Sequence, residues 1–442
     1  MKFILLTVLL AINNACTLNI LAIYPFQAKS HFMVFRIYLR ELANKGHNVT
    51  VVSYFPEEDP PMNYHDIILA GRTKFEEEIP VMEKSWWTVI KTGVLLVSTG
   101  RKNCEVLLAN QNVQDLVKLK VKFDVVIVDQ FNSNCALGIA YKVGAPVIGT
   151  TSHTLMPYHF KRFDFPILHY STFFSKFKSI SLEYEFIIFQ NLKQFVEESE
   201  HGIIYINFGS MLKTSSLNPE KVEMILEAVK EFPQRVIWKW EDKTLTFDKN
   251  KFYTKSWLPQ LDILGHSKTL VFISHGGMGG TTEAIHFGVP MIAMPVFGDQ
   301  PSNAAAIEES GLGLTLDWKD LTKDNLMASL KRILDPGFRE QAAAVSRAWQ
   351  DRPLSPLDTA VFWTEFATRH FALRVRTAAA DTPFYQRAHL DIAAVFLGII
   401  LIILYIANIW YSINDTEDKT VYFSFLSASW PRITPKLLNE LK

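Results

Sequence analysis

An alternation of apolar strands and amphipathic helices, which occurs twice along the chain, constrains the fold most strongly. Residues 20–24 read as a strand, 33–45 as a helix and 123–129 ("FDVVIVD") as a second strand. The same order returns from residue 191 onward. Buried β-branched runs separated by helices are typical of parallel sheets. The sequence therefore predicts an α/β protein with two doubly wound, Rossmann-like domains that face a cleft.

The predicted elements place candidate ligand sites at the carboxyl ends of the strands, where open α/β sheets bind ligands. The first set has strands at 20–24, 47–55, 123–129 and 146–152, and helices at 33–45 and from Cys135. The second set has helices at 191–200, 220–231 and 281–287, and strands at 202–210, 235–240, 252–257, 270–275 and 290–296.

Two apolar segments lie near the chain ends. Residues 1–16 combine Lys2 with an apolar run, which predicts a secretory signal peptide. The alternative, a buried first strand, is less favoured because the next residues already read as that strand. The uncharged run 392–413 spans about 33 Å as a helix, enough for a bilayer core. It predicts a transmembrane helix at 391–413 rather than a buried soluble helix, and a cytosolic tail at 414–442.

Charge and cysteine content exclude several classes of protein. Lys plus Arg and Asp plus Glu both number 45, so the zero net charge gives no reason to expect a nucleic-acid partner. Cys16 belongs to the signal region, while Cys104 and Cys135 are too few for a disulfide framework and lack zinc-site spacing. One bridge between them is left open. Asn48 begins a glycosylation sequon on the predicted lumenal side, and Asn414 begins one on the cytosolic side.

The stretch 271–290, "VFISHGGMGGTTEAIHFGVP", is typical of an anion site. His275 follows a strand, and the glycines after it lead into a helix. A helix start offers unpaired backbone N–H groups, and glycine allows a phosphate to approach the backbone. The stretch lacks a Walker loop and the GxGxxG pattern, since Thr282 takes the place of the last glycine. The alternative is a tight turn that needs glycine only for packing.

A longer motif around this stretch resembles the UDP-glycosyltransferases, in their membrane-bound animal branch. It is "SWLPQLDILGHSKTLVFISHGGMGGTTEAIHFGVPMIAMPVFGDQPSNA", residues 256–304. "FQAKSHFMVF", "FDVVIVD" and "DRPLSPLDTAVFWTEF" resemble the insect members. The resemblance implies a GT-B fold, with an acceptor-binding domain at 17–190 and a UDP-sugar-binding domain at 191–385.

The resemblance also implies roles for residues in the second domain. Trp257 would stack on uracil, Gln260 would border the nucleoside, and Glu283 would accept from the ribose hydroxyls. The diphosphate would lie near Ser210, His275, Gly276, Gly277, Gly279 and Gly280, and the sugar hydroxyls near Asp299 and Gln300. Gly279 and Gly280 depart from the commoner insect "LLS" at these places.

His31 and Asp129 are the candidate catalytic residues in the first domain. Each follows a predicted strand, so His31 could take a proton from an acceptor hydroxyl while Asp129 orients the imidazole. A lone histidine or strand-end aspartate is more often structural, and the matching family positions favour the catalytic reading. The reaction implied is direct displacement that inverts an α-linked donor to a β-glycoside. No metal and no cofactor beyond the UDP-sugar co-substrate are expected.

The junction at 169–190 departs from the family. The helices that complete the acceptor pocket are expected there, and the chain runs almost directly into its second half. An inactive nucleotide-binding family member is therefore the alternative function, whereas a nicotinamide oxidoreductase would need a phosphate fingerprint that "YPFQAKSHF" lacks. The expected partners are a UDP-sugar, with glucose favoured, a small lipophilic acceptor and lipid around one span of the endoplasmic reticulum membrane. Self-association is left open.

Overall fold

A computed structural model gives the structure of the protein. It describes residues 17–69, 86–153, 190–210, 212, 217–242, 245–370 and 390–415. The predicted signal peptide, the junction up to residue 189 and the tail beyond 415 lie outside the described residues. Two compact units divide the chain, and the first holds both sheets while the second holds the C-terminal apolar helix.

The first sheet has five parallel strands in the order β3-β2-β1-β4-β5. Apolar side chains from both faces are buried, as expected for a parallel sheet covered on both sides. Because β1 pairs with both β2 and β4, the sheet reverses its strand order beside β1. The strands are β1 (Asn19–Tyr24), β2 (Asn48–Ser53), β3 (Tyr64–Ile68), β4 (Val125–Asp129) and β5 (Val147–Thr150).

The second sheet has six parallel strands in the order β11-β10-β9-β6-β7-β8. Its centre is the pair β6 and β9, whose last paired residues are Asn207 and Ser274. The carboxyl ends of these two strands are therefore neighbours. The strands are β6 (Ile203–Asn207), β7 (Arg235–Lys239), β8 (Phe252–Lys255), β9 (Thr269–Ser274), β10 (Met291–Ala293) and β11 (Gly313–Thr315).

Helices follow the strands in both halves of the chain. The first half has α1 (Lys29–Asn44), α2 (Trp86–Ala109), α3 (Gln111–Lys118) and α4 (Asn134–Val143). The second half has α5 (Gln190–Glu197), α6 (Pro219–Lys230), α7 (Gln260–Gly265), α8 (Met278–Phe287), α9 (Gln300–Glu309), α10 (Lys323–Ile333), α11 (Pro336–Gln350), α12 (Pro356–Arg369) and α13 (Leu390–Asp415).

Helix α12 returns from the second sheet to the first. Val361 is buried in the core of the first sheet, and the hydroxyl of Thr364 hydrogen-bonds Tyr38 of α1. Glu365 lies 3.4 Å from Nε2 of His47. The chain thus crosses between the sheets twice, although the sequence order alone suggested a single crossing.

The described helices differ from the predicted ones at two starts that matter for the site. Helix α1 begins at Lys29, so His31 lies in its first turn and not in a loop. Ala28 caps it only through its backbone carbonyl, which accepts from His31 N at 3.0 Å, so no side-chain cap marked the start. Helix α8 begins at Met278 and not at residue 281, since the low helix propensity of glycine hid its first turn.

A disulfide joins Cys104 of α2 to Cys135 of α4. The sequence left this pairing open, and the structure settles it. The bridge fixes α4 beside α2 immediately after the loop that follows β4. Asp129 ends that strand, so the bridge lies close in the sequence to one candidate catalytic residue.

Helix α13 contains the C-terminal apolar run. Its residues Leu390–Tyr411 are long and apolar enough to cross a membrane, and none of the most apolar window is buried in the protein. The observation agrees with the predicted span at 391–413. Together with the two parallel sheets it confirms the predicted α/β fold class; the proposed domain boundaries stay predictions.

Candidate active site

The imidazole of His275 lies between two glycines at the adjacent ends of β6 and β9. A Cβ atom added to Gly209 would meet the ring at 2.8 Å, and one added to Gly277 would meet its Nε2 at 2.5 Å. Both contacts are closer than real Cβ atoms allow. A side chain at either position would therefore have to displace the ring. For Gly277 this agrees with the alternative of a turn that needs glycine for packing, and Gly209 also has φ +87°.

Different structural features account for the other glycines of the stretch. Gly276 has φ +75°, which is the left-handed region that favours glycine. A Cβ on Gly280 would lie 3.2 Å from the Phe272 ring. Gly279 meets neither condition, since a Cβ there would touch nothing within 4 Å and its φ is ordinary. Its glycine leaves open space over the first turn of α8.

The first turn of α8 presents unpaired backbone donors. The N–H of Thr281 is the first to bond back, to Gly277 O at 3.0 Å. The N–H groups of Met278, Gly279 and Gly280 precede it and have no intrahelical partner. Together with the positive end of the helix dipole, they form a site suited to a phosphate oxygen.

His275 is a neutral donor or acceptor at physiological pH. Burial, with a smaller contribution from the Lys239 charge, lowers the pKa of His275 to about 4. Its Nδ1 lies 3.3 Å from Ser274 Oγ. The ring can therefore hydrogen-bond a diphosphate oxygen without adding a charge.

A chain of hydrogen bonds leads from β6 to Glu283 on α8. Gly209 N donates to Asn207 Oδ1 at 2.9 Å, and Asn207 Nδ2 donates to Gln260 Oε1 at 2.6 Å. Gln260 Nε2 then donates to Glu283 Oε2 at 2.6 Å. Tyr205 OH also donates to Gln260 Oε1, at 3.1 Å. The sequence singled out Gln260 and Glu283, but not Asn207 or Tyr205.

Glu283 is partly buried and carries a raised pKa. Burial raises the pKa of Glu283 to about 7, although the hydrogen bond from Gln260 opposes the shift. Only its Oε2 accepts a bond from the described residues, so Oε1 remains available to a hydroxyl donor. The carboxylate is placed one helical turn beyond the unpaired N–H groups of α8.

Trp257 and Ser210 lie at the surface. Trp257 is 64% exposed, just beyond β8, although indole is usually well buried. Ser210 is exposed and follows the Gly209 turn. An exposed flat ring three residues before Gln260 in the sequence provides a face on which a base can stack.

Asp299 and Gln300 begin α9, and a buried asparagine links them to the His275 turn. Asn303 is 1% exposed and donates to Gly276 O and to Asp299 Oδ2, both at 2.9 Å. Gln300 is buried, and its Oε1 accepts from the backbone N of Val296 at 2.8 Å. The oxygen of Gln300 therefore holds the preceding turn, which leaves its amide nitrogen for a ligand. Sequence reasoning did not identify Asn303.

His31 lies among aromatic rings in the first sheet's half of the chain. Its Nδ1 is 2.8 Å from Ser152 Oγ. The rings of Phe26 and Phe131 are centred 4.8 and 4.9 Å away, and that of His153 is 6.2 Å away. Burial, followed by the nearby His153, lowers the pKa of His31 to about 3. The imidazole is therefore neutral, and its Ser152 contact was not foreseen.

Asp129 is 1% exposed at the end of β4. Its Oδ1 accepts from Phe131 N at 3.3 Å, and burial raises its pKa to about 7. Within the described residues the side chain makes no hydrogen bond to His31, whose Nδ1 contacts Ser152. The structure thus places the two residues in the same half of the fold without joining them, and the dyad stays a prediction.

Solved glycosyltransferases share this fold. A UDP-glucose:anthocyanidin 3-O-glucosyltransferase in complex with UDP superposes with a TM-score of 0.57 at 17% identity, over 79% of this chain and 99% of that chain. The glycotransferase of kitacinnamycin gives 0.56 at 18% identity, over 79% and 99%. At these identities the likeness concerns the fold alone. The two parallel sheets are those of a GT-B glycosyltransferase.

The family follows from sequence comparison. The family model "UDP-glucoronosyl and UDP-glucosyl transferase" matches residues 146–414. UDP-glycosyltransferase UGT5 of Dactylopius coccus is 30% identical over 91% of this chain and 94% of its own length. UDP-glucuronosyltransferase 2A2 of Mus musculus is 28% identical over 88% and 93%. The chain belongs to this family and is a UDP-glycosyltransferase, as the motif at 256–304 predicted.

Two glycine substitutions test the difference between packing and ligand approach. Gly277→Ala should destabilise the protein by about 1–3 kcal/mol, because the new methyl group overlaps the His275 ring. Gly279→Ala should leave stability unchanged or raise it by up to about 1 kcal/mol, since alanine favours the helix and meets no neighbour. Thermal unfolding without ligand measures both effects.

Gly277→Ala should also bind UDP more weakly, because the imidazole is displaced. Wild-type UDP affinity in Gly277→Ala would show that the position of the His275 ring does not affect nucleotide binding.

Proposed function

We propose that the protein transfers a sugar, glucose by preference, from a UDP-sugar to hydroxyl groups of small lipophilic acceptors, with inversion and without a metal ion. The observation that carries the proposal is the meeting of three groups at neighbouring strand ends: the unpaired N–H groups of α8, His275, and the Glu283 carboxylate held by Gln260. An anion and a ribose can be bound there at the same time. UDP-sugar is proposed as the only small-molecule co-substrate.

The proposed donor lies along the carboxyl edge of the second sheet. Trp257 stacks on the uracil, and the open Oε1 of Glu283 accepts from the ribose hydroxyls. The diphosphate accepts hydrogen bonds from the N–H groups at the start of α8 and contacts His275 and Ser210. Asp299 then accepts from a sugar hydroxyl, and the amide nitrogen of Gln300 donates to a sugar hydroxyl oxygen. Asn303 supports this order, because it ties the diphosphate turn to Asp299.

In the proposed reaction, the acceptor oxygen attacks the anomeric carbon while the carbon–oxygen bond to the diphosphate breaks. His31 takes the acceptor proton, and UDP leaves with the bonding electrons, where the positive end of α8 stabilises the added charge. One displacement of this kind inverts an α-linked donor to a β-glycoside. In the proposed tautomer, Nδ1–H of His31 donates to Ser152 Oγ, and the neutral imidazole keeps its Nε2 lone pair for the acceptor proton.

Asp129 is proposed to support the protonated state of His31. The buried imidazole has a low pKa, so it needs a negative charge nearby once it holds the acceptor proton. Asp129 is the buried carboxylate at the next strand end, and its raised pKa reflects the same dry surroundings.

Glucose is preferred in this proposal because of the relatives' names. UDP-glucosyltransferase 2 of Dactylopius coccus is 30% identical over 89% of this chain and 92% of its own length. The mammalian relatives are named for glucuronosyl transfer, and the mouse protein aligned along nearly its full length is 28% identical. The sugar site is proposed to begin at Asp299. Its carboxylate suits the hydroxyl donors of glucose better than the carboxylate of a glucuronosyl group.

We also propose that this chain lacks part of its acceptor wall near 169–190. The alignment with the Dactylopius UGT5 relative runs over 500 positions yet covers 91% of a 442-residue chain, so it contains many positions with no counterpart here. Weak or absent turnover is expected as a result, with nucleotide binding retained. A catalytically impaired nucleotide-binding protein is therefore the second candidate function.

One prediction of this proposal concerns nucleotide binding. UDP should bind the full chain in detergent or nanodiscs in the presence of EDTA, and NADH should not. Trp257→Ala should lose a large part of the affinity, since stacking of a base on an aromatic ring is worth about 1–3 kcal/mol. Isothermal titration calorimetry measures both. Binding of NADH without binding of UDP would contradict the donor assignment.

Another prediction concerns His31 as the general base. His31→Ala should reduce glucosyl transfer to a phenol by about 10²–10⁴-fold, because a general base is lost. Its affinity for UDP should stay at the wild-type value, since the proposed nucleotide contacts belong to the other sheet. Asp129→Asn should also reduce turnover. Unchanged transfer by His31→Ala would remove the proposed mechanism.

Turnover should be compared in two forms of the protein. The 442-residue chain is expected to show weak turnover. A version whose 169–190 region is extended to the length in the Dactylopius relative should be active. The His31 comparison is then made in the extended form. Robust turnover by the 442-residue chain would show that the added segment is dispensable.

The proposed location is the endoplasmic reticulum membrane, with the sheets in the lumen and the tail in the cytosol. Helix α13 supports a single span, and the Cys104–Cys135 bridge agrees with an oxidising compartment. Asn48 begins β2, and its amide donates to Asn19 Oδ1 at 3.0 Å at the exposed start of the strand. Its sequon is expected to carry a glycan.

Translation with microsomes tests this topology. Glycosidase treatment should increase the mobility of the wild-type chain but not of Asn48→Gln, and protease should remove a C-terminal tag. A protected tag would exclude the single-pass type I arrangement.

A further inference from the structure

The hydrogen bonds between Gly209 and Glu283 all run in one direction. Each step passes from an N–H donor to an oxygen acceptor, first Gly209 to Asn207, then Asn207 to Gln260, and last Gln260 to Glu283. The distances are 2.9, 2.6 and 2.6 Å. Two amide side chains thus connect a backbone group at the end of β6 with a carboxylate on α8.

We call this series of hydrogen bonds, from Gly209 through Asn207 and Gln260 to Glu283, the relay. Its direction is fixed at Gly209. A backbone N–H can only donate, so Asn207 must present its oxygen to Gly209 and its nitrogen to Gln260. Gln260 must then present its oxygen to Asn207, where Tyr205 OH is the second donor. Its nitrogen is left facing Glu283. Neither amide can rotate by half a turn without placing two donors or two acceptors against each other.

We propose that Asn207 is a positioning residue for nucleotide recognition: by fixing the direction of the Gln260 amide it keeps Glu283 as a hydrogen-bond acceptor whose free oxygen selects the ribose diol. Asn207 itself touches no ligand. The inference rests on the proposed nucleotide site and adds to it the residue that determines preference for a ribonucleotide.

Reversing the relay gives a direct test. Asn207→Asp keeps the side-chain size and the bond from Gly209, but it turns the donor facing Gln260 into an acceptor. The Gln260 amide should then rotate and present its oxygen to the Glu283 carboxylate, which repels it. The affinity for UDP should fall at least tenfold, and the preference for UDP over 2′-deoxy-UDP should shrink towards one.

A second substitution should repair the first. With Glu283→Gln added to Asn207→Asp, the new amide at position 283 can donate to the rotated Gln260, and its own oxygen remains for the ribose. The double variant also has the wild-type net charge. Its UDP affinity should be at least tenfold higher than the product of the two single effects predicts.

Two controls separate positioning from folding. Asn250→Asp makes the same chemical change in an exposed turn and should bind UDP as the wild type does. Tyr205→Phe adds no charge and removes both the Tyr205 donor to Gln260 Oε1 and the oxygen that accepts from Asn207 Nδ2, so it should weaken UDP binding by about 2–10-fold. Thermal unfolding reports the stability of every variant, and Tyr205→Phe keeps the test decisive if Asn207→Asp does not fold.

Calorimetry with UDP and 2′-deoxy-UDP, on full-length chains in nanodiscs, distinguishes the outcomes. Coupled effects of Asn207→Asp and Glu283→Gln, with a reduced ribose preference in the first, would support the proposal. Wild-type affinity and preference in both Asn207→Asp and Tyr205→Phe, or simple multiplication of the two single effects, would overturn it and leave the proposed function intact. A wild-type chain that binds neither nucleotide would overturn both.

Discussion

The contact between the His275 ring and two glycines is the constraint on which the rest of the site depends. β6 and β9 are neighbours, so Gly209 and Gly277 reach the ring from adjacent strand ends. A side chain at either position would push the imidazole away. The chain turns at Gly276, where φ is +75°, and α8 begins at Met278. The proposed anion site at the first turn of α8 thus follows directly on this close packing in the chain.

Burial gives the site its electrostatic character. Both histidines are neutral, since the same loss of water that lowers the pKa of His275 also lowers that of His31. The same burial raises the pKa values of Glu283 and Asp129 to about 7. In the proposed donor site a diphosphate would therefore be met mainly by oriented N–H groups, which need not reorganise as charge develops on the leaving group.

The motif at 256–304 contained most of what the sequence could predict about the site. A long ordered pattern identifies the family, and the period of the apolar residues identifies parallel sheets, because both depend on local residue order. The relay through Asn207 and the link through Asn303 could not be predicted in this way. Each joins residues far apart in the sequence, and an asparagine has no periodic or compositional signal that separates a buried bridge from a surface turn.

Helix starts were the other source of difference. Ala28 and Gly277 cap their helices through backbone groups, so neither offers the Ser, Thr or Asp that marks a start. His31 was consequently predicted in a loop, whereas the structure places it in α1, where Ser152 contacts its Nδ1. Helix α12 was not predicted to return to the first sheet, since nothing in its amphipathic pattern specifies which sheet covers Val361.

Hydrogen–deuterium exchange of the full-length chain in nanodiscs, with and without UDP, tests the central claim most directly. That claim is that the nucleotide is held by the backbone at the start of α8 and by the groups that converge on it. UDP should slow exchange in peptides covering 276–283 and 257–260, with the amides of Met278, Gly279 and Gly280 most affected, and should leave β1 and β4 unchanged. Protection confined to the first sheet, or unchanged exchange at 276–283 under saturating UDP, would contradict it.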